Sequence, residues 1–151
     1  LEEHASGIVC LTGDEYGPLA SALTQGRIEA GRELLTRLKD IFGGRNLYVE
    51  LQRHFQRDQE QRNQCAIELA REFNLPVLAT NGVCYANATD REVLDVFTAI
   101  KHKRKLETAG RLLTRNAERH IRTPEQMTKL FADIPEAIGN TVELSSRLQF
   151  P

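Results

Sequence analysis

The 151 residues include no tryptophan, one methionine, five prolines and three cysteines. Cys10, Cys65 and Cys84 are odd in number, far apart and outside any CxxC pair, so no disulfide framework is encoded and a reducing, cytoplasmic setting is expected. No apolar run approaches about 18 residues, which excludes a membrane-spanning helix. No basic leader precedes an apolar stretch, and Leu1 stands where an initiator methionine would, so the sequence reads as beginning inside something longer. There is no GxxxxGK[ST] loop, no GxGxxG and no GxSxG elbow, so phosphate-loop, dinucleotide and serine-hydrolase readings lack an anchor. What is present is ordinary for a folded chain: 40% hydrophobic and 27% charged residues exclude disorder and suffice for one core.

The formal net charge of -1 conceals an asymmetry. Between Lys101 and Arg122 lie eight Lys and Arg against Glu107 and Glu118, a local +6 that leaves -7 elsewhere. A basic segment on an acidic body has two readings. Lys101, Lys103, Arg104, Lys105, Arg111, Arg115, Arg119 and Arg122 could neutralise nucleic-acid phosphates in a salt-dependent manner, or form a solvated linker. No aromatic residue interleaves them, which counts against a single-strand stacking platform.

The periodicity gives an α/β order. Ile8–Leu11 reads as a short buried strand ending at Thr12-Gly13-Asp14, and a helix is expected near Pro18–Leu23. From Arg27 to Phe42, Ile28, Leu34, Leu35, Leu38, Ile41 and Phe42 recur at helical spacing, and Gly43-Gly44 ends the helix. Leu47–Leu51 alternates as a second strand, and Asp58–Phe73 forms an amphipathic helix carrying Cys65, Ala66, Leu69, Ala70 and Phe73 on one face. Leu75–Thr80, apolar on both faces, reads as a third strand covered by helices. Strands alternating with helices favour a parallel sheet.

Beyond Asn81 the pattern is helical. Thr89 with Glu92 makes a capping box for a helix to Ile100 with Val93, Leu94, Phe97 and Ile100 inward. Thr123-Pro124 opens a helix burying Met127, Leu130 and Phe131, and Pro135 starts a last helix bearing Ile138, Val142 and Leu148.

Ligands of parallel sheets gather at the carboxyl ends of the strands. The loops there supply Asp14, Glu15, His54 and Cys84, with Glu50 near the end of its strand, as candidate metal ligands. The plainer reading outweighs this one: Asp14 and Asn81 cap turns, Glu50 pairs with a cation and Cys84 is a small buried apolar residue.

Five stretches carry a resemblance: Gly7–Gly13, Tyr48–His54, Leu75–Val83, Thr123–Met127 and Leu130–Ile138. In order and spacing they resemble the amino-terminal region of bacterial C-family polymerases, the DNA polymerase III alpha subunits. The Ala79-Thr80-Asn81-Gly82-Val83 strand end and the Leu94-Asp95-Val96 and Gly110–Leu113 stretches are most similar to the error-prone branch.

The resemblance implies a partial polymerase-and-histidinol-phosphatase (PHP) type (βα) barrel with about three parallel strands. Residues 1–88 would be its later portion and 89–151 a mostly helical segment leading toward the palm. Metal-binding members hold a cluster of ions. Against their pattern this chain has Asp14 in place of Cys, and Gly82 and Cys84 in place of Asp and His. Gly82 has no side chain to coordinate, so a degenerate metal site is expected.

No catalytic residue and no cofactor are then expected in this segment. The intact enzyme, a nucleotidyltransferase of DNA replication or repair, would use magnesium held by palm carboxylates. Implied partners are DNA and the rest of the polymerase chain, with no membrane. A sheet edge left open would be covered by a homodimer, a swapped element or a local segment. Two rivals remain: a metal-dependent PHP-type phosphoesterase using Asp14, Glu50, His54 and Cys84, and a nucleic-acid-binding module using the 101–122 segment.

Overall fold

In the computed structural model, which describes residues 2–148, three strands, β1 (Cys10–Leu11), β2 (Leu47–Gln52) and β3 (Val77–Thr80), form a parallel sheet in the order β1-β2-β3. Cys10 and Leu11 lie opposite Leu47 and Tyr48; Val49 to Gln52 lie opposite Val77 to Thr80 in unbroken register. The helices are α1 (Pro18–Thr24), α2 (Ile28–Phe42), α3 (Arg57–Glu72), α4 (Arg91–Lys101), α5 (Leu106–Ala109), α6 (Pro124–Leu130) and α7 (Pro135–Arg147). The expected α/β architecture is therefore present. Residues divide into two compact units, one made by the chain up to Thr80 with that from Pro124 on, the other by Asn81–Thr123. This division follows packing, whereas the 1–88 and 89–151 segments of the sequence reading follow resemblance.

In the first unit β2 is the centre. Every residue of it is buried except Glu50, because strands flank both edges and helices cover the faces. Leu35, Leu47, Val49, Leu51 and Phe131 are the largest fully buried side chains. Burying each contributes about 1.5–3 kcal/mol relative to exposure. Gly31 lies where three helices meet: a Cβ there would lie 3.3 Å from Leu69 Cδ1 and 3.4 Å from Leu19 Cδ1, so a larger residue would require these leucines of α3 and α1 to shift by a few tenths of an ångström. α2 stops at Gly43, whose φ of 72° favours glycine and whose N–H bonds Lys39 O at 2.8 Å.

The two sheet edges differ. Beside β3 runs α7, whose Asn140 donates from Nδ2 to Val77 O at 2.7 Å. A second clasp joins α7 to β2: Tyr48 OH donates to Glu143 Oε2 at 2.8 Å, and Arg147 reaches Tyr48 Oη, Arg45 O and Asn46 Oδ1. Burial and the Glu143 carboxylate both push the Tyr48 phenol upward. At the other edge β1 pairs only with β2 among the described residues, and Ile8 and Leu11 remain 46% and 38% exposed. The strand expected to be buried over Ile8–Leu11 is thus two residues long and half open, because no described strand pairs with its outer side.

Three further expectations are corrected. The capping box ahead of α4 is Asn87 with Asp90, not Thr89 with Glu92; a 3-10 turn over Ala88–Asp90 shifts the helix start to Arg91. The apolar stripe of α4 faces outward: Val93, Phe97 and Ile100 are 56%, 63% and 65% exposed, and Ala99 alone is buried. In α7 the inward phase is set by Ala137 and Leu144, which leaves Val142 exposed on the far side and Leu148, past the helix end, half exposed.

The second unit is held by backbone pairing of its two ends. Tyr85 and His120 form a parallel bridge, Cys84 N–H donates to Arg119 O at 2.8 Å, and Asn81 Nδ2 donates to Glu118 O and His120 O. α4 is tied to the following loop by Arg91 Nη2, which donates to Thr114 O at 2.8 Å.

Candidate functional site

At the carboxyl ends of the strands in the first unit a shallow pocket opens between the Gly13–Gly17 turn and α3. Thr12, Asp14, Glu15, Glu50, Gln52, Arg62 and Asn63 line it, with Leu19, Leu23 and Ala66 at its floor. Its free volume of about 20 Å³ is that of a single water. Three carboxylates and one guanidinium around so small a space form an ion-pair and hydrogen-bond site rather than a bowl for an organic substrate.

Asp14, Glu50 and Thr12 already have structural partners. Asp14 Oδ1 accepts from Tyr16 N–H at 2.9 Å while its carbonyl accepts from Gly17 N–H, the arrangement of an Asx turn. Glu50 Oε1 accepts from Thr80 Oγ1 at 2.5 Å and from Gln52 Nε2 at 2.8 Å, so the carboxylate ties β2 to the end of β3. Thr12 Oγ1, itself buried, accepts from Glu50 N–H at 3.0 Å, tying β2 to the end of β1.

His54 is 3% exposed, and its surroundings explain why a histidine can be there. Gln59 Oε1 accepts from His54 N–H at 2.6 Å, and the same amide's Nε2 lies 3.0 Å from His54 Nδ1. An amide NH₂ donates, so in this pairing Nδ1 is the accepting ring nitrogen. One turn along α3, buried Asn63 donates to Gln52 O at 2.8 Å. The sequence reading missed this pair, although the signal was there: Gln59 and Asn63 stand in helical phase with Ala66 and Ala70, on the buried face.

Beyond His54 the chain turns on Phe55, whose φ of 56° is left-handed and strained for a bulky side chain. Arg53, ahead of it, is a hub. Its guanidinium holds Glu60 on α3 at 2.9 Å, Asp133 before α7 at 2.5 Å and the carbonyl of Leu130 at 2.9 Å, and sits 4.9 Å above the Phe131 ring. Its carboxylate partners and hydrogen bonds raise the Arg53 pKa, and Arg53 in turn holds the Asp133 carboxyl below its ordinary value. No motif pointed to Arg53, since a single arginine after a strand carries no signature.

Among the described residues no group of three or more His, Cys, Asp and Glu is placed to hold a metal ion. Asp14 and Glu50 line the same pocket; His54 is not among its walls. Cys84 belongs to the second unit and is exposed, its thiol 3.5 Å from Gly82 O. The basic segment divides too. Lys101, Lys103, Arg104, Lys105 and Arg111 are exposed, as is Arg115; Arg119 is half-buried and donates from Nε to Gly82 O, and Arg122 pairs with Glu118. No described helix is long and apolar enough to cross a membrane.

Residues 1–54, from the chain start through β2 to His54, match the PHP domain family. Over 147 residues, 97% of the chain, the sequence is 33% identical to the DNA polymerase III alpha subunit of Escherichia coli K12. The corresponding subunits of Pseudomonas aeruginosa and Borreliella burgdorferi are 32% and 31% identical over the same length. It is similar to bacterial DNA polymerase III alpha subunits. The chain spans only 12–13% of the length of these relatives.

Proposed function

We propose that this chain is a piece of the PHP region of a DNA polymerase III alpha subunit of the error-prone branch, and that its role there is structural. The observation that carries the reading is the alignment of 97% of the chain at 31–33% identity with alpha subunits. Its own residues support a scaffold. Asp14, Glu50 and His54 are tied into turns and strand ends, and Gly82 offers no ligand, so the donor set does not fit a cluster of metal ions. Magnesium chemistry, DNA synthesis and repair belong, on this reading, to palm carboxylates elsewhere in an intact enzyme.

Two experiments test it. The gene encoding this segment is expected to continue into acidic palm motifs, and a reading frame without them would end the polymerase reading. Protein purified without added metal is expected to contain less than about one tenth of an equivalent of zinc or manganese. Stoichiometric metal lost on Asp14→Ala would instead favour a PHP-type phosphoesterase.

A second reading has its own observation: six basic side chains, Lys101, Lys103, Arg104, Lys105, Arg111 and Arg115, are all exposed. On this reading they contact DNA phosphates, with half-buried Arg119 at the margin. Anisotropy with primed duplex across a salt series is expected to show binding that weakens steeply with salt. Binding unchanged by Lys103→Glu with Arg104→Glu would remove these residues from the interface.

A further inference from the structure

We propose that α4 and the turn after it form a binding site for single-stranded DNA, in which Phe97 stacks on a base while Lys101, Lys103 and Arg104 hold the neighbouring phosphates. This rests on the reading in which the basic segment contacts DNA, and it names the form of DNA that the segment takes. Between Lys101 and Arg122 the sequence holds no aromatic residue, so the cations alone offer a base nothing to stack on. The fold supplies what the segment lacks. Phe97 stands four residues before Lys101 on the same helix, about 40° from it around the axis, which makes ring and ammonium neighbours on one face. The ring is 63% exposed, and Ile100 beside it 65%. Val93 and Val96 continue the apolar surface away from the cations. The whole arrangement lies within the second unit.

The charges call for an anion. From Lys101 to Arg111 five cations stand against one carboxylate, Glu107, and among the described residues none of the five is in an ion pair. The acidic residues around α4 are tied or placed elsewhere: Asp95 pairs with Arg91, Asp90 caps with Asn87, and Glu92 falls on the opposite flank of the stripe, beyond Val96. α4 ends in a left-handed turn, with Arg104 N–H on Ala99 O at 2.9 Å and Lys103 N–H on Ile100 O at 3.0 Å. Glycine is the usual residue at the left-handed position, yet Lys103 holds it at a φ of 52°. Strain kept at an exposed cation points to what the cation binds. The helix dipole accounts for Lys101 in the last turn, but not for Lys103, Arg104 and Lys105 beyond it. Single-stranded DNA satisfies both halves of this surface at once, since its bases are free to stack and its phosphates to pair. A duplex keeps its bases inside and would engage the cations alone.

Fluorescence anisotropy of the chain with oligothymidine of about 12 nucleotides and with blunt duplex of equal length, across a salt series, tests the proposal. Oligothymidine is expected to bind at least about threefold more tightly than duplex. Phe97→Ala weakens oligothymidine binding by about tenfold, the loss of one stacked base, and leaves duplex binding unchanged; Phe97→Trp restores it. Lys103→Gly weakens binding by about threefold and flattens the salt slope by about 0.7, the share of one phosphate, while raising the thermal midpoint because glycine relieves the strain. Val142→Ala, at a similarly exposed apolar site on α7, changes nothing. Equal binding of oligothymidine and duplex overturns the proposal and leaves the DNA reading standing, as does oligothymidine binding indifferent to Phe97→Ala or a loss that Phe97→Trp fails to restore. No salt-dependent binding of either probe overturns both.

Discussion

α3 and α4 are both amphipathic by sequence, yet one is buried along its apolar face and the other is not. On α3, Ala66, Ile67, Leu69 and Ala70 are all 5% exposed or less, packed on β2 and against α1. On α4, Val93, Phe97 and Ile100 are each more than half exposed. The difference lies in what surrounds the helix. α3 lies between two strands that pair with each other, so closing the sheet lays its stripe on the core. α4 follows the last strand and has only short elements in its own unit. Amphipathicity states that a face wants cover; topology decides whether this chain supplies it.

The largest break in that comparison comes from the core of the first unit. Phe131 is fully buried and carries the α6–α7 turn onto the sheet. Phe131→Ala is expected to cost about 3–5 kcal/mol by urea unfolding. A cost below about 1 kcal/mol would mean that residues from Pro124 on are not part of the sheet's core. Arg53→Ala comes next, at about 2–3 kcal/mol, because it removes the ring contact with Phe131 and leaves the half-buried Leu130 carbonyl short of a donor. Arg53→Lys is expected to recover less than half, since one ammonium cannot span Glu60 and Asp133 as a guanidinium does.

A smaller effect is linked to pH. Arg53 lowers the folded-state pKa of Asp133 beneath its ordinary value of 3.8. The ion pair therefore stabilises fully above that ordinary value, and its contribution is lost as pH falls through the lower folded-state pKa. Asp133 is 57% exposed at its side chain, so screening limits the contribution to below about 1 kcal/mol. Stability curves of wild type and Asp133→Asn are expected to differ at neutral pH and converge in acid. Curves that stay parallel down to strongly acidic pH would show that the pair does not form in solution.

Much of the fold was legible because it rests on periodicity and punctuation. The turn at Gly43-Gly44 and the apolar run from Leu75 both mark where α2 and β3 lie. The candidate site was less so. Asp14 reads as a possible ligand or a turn former from sequence, and only the hydrogen bond to Tyr16 N–H gives its structural role. Gln59 and Asn63 look like solvated polar residues until α3 is set on the sheet, and Arg53 gains meaning only when Asp133, eighty residues later, meets it. Local pattern carries elements well; partnerships across long sequence separations are decided by packing that no short window contains.

The smallest effect sharpens the comparison most. Phe97→Ala removes an aromatic ring that is 63% exposed, so unfolding stability is expected to change by less than about 0.5 kcal/mol. Ile67→Ala on α3, 4% exposed, is the matched control at about 2–4 kcal/mol. The two substitutions are similar in chemistry and differ in whether the chain covers the site. A Phe97→Ala cost approaching that of Ile67→Ala would mean that the α4 stripe is buried in the monomer, and the contrast between the two helices would then vanish.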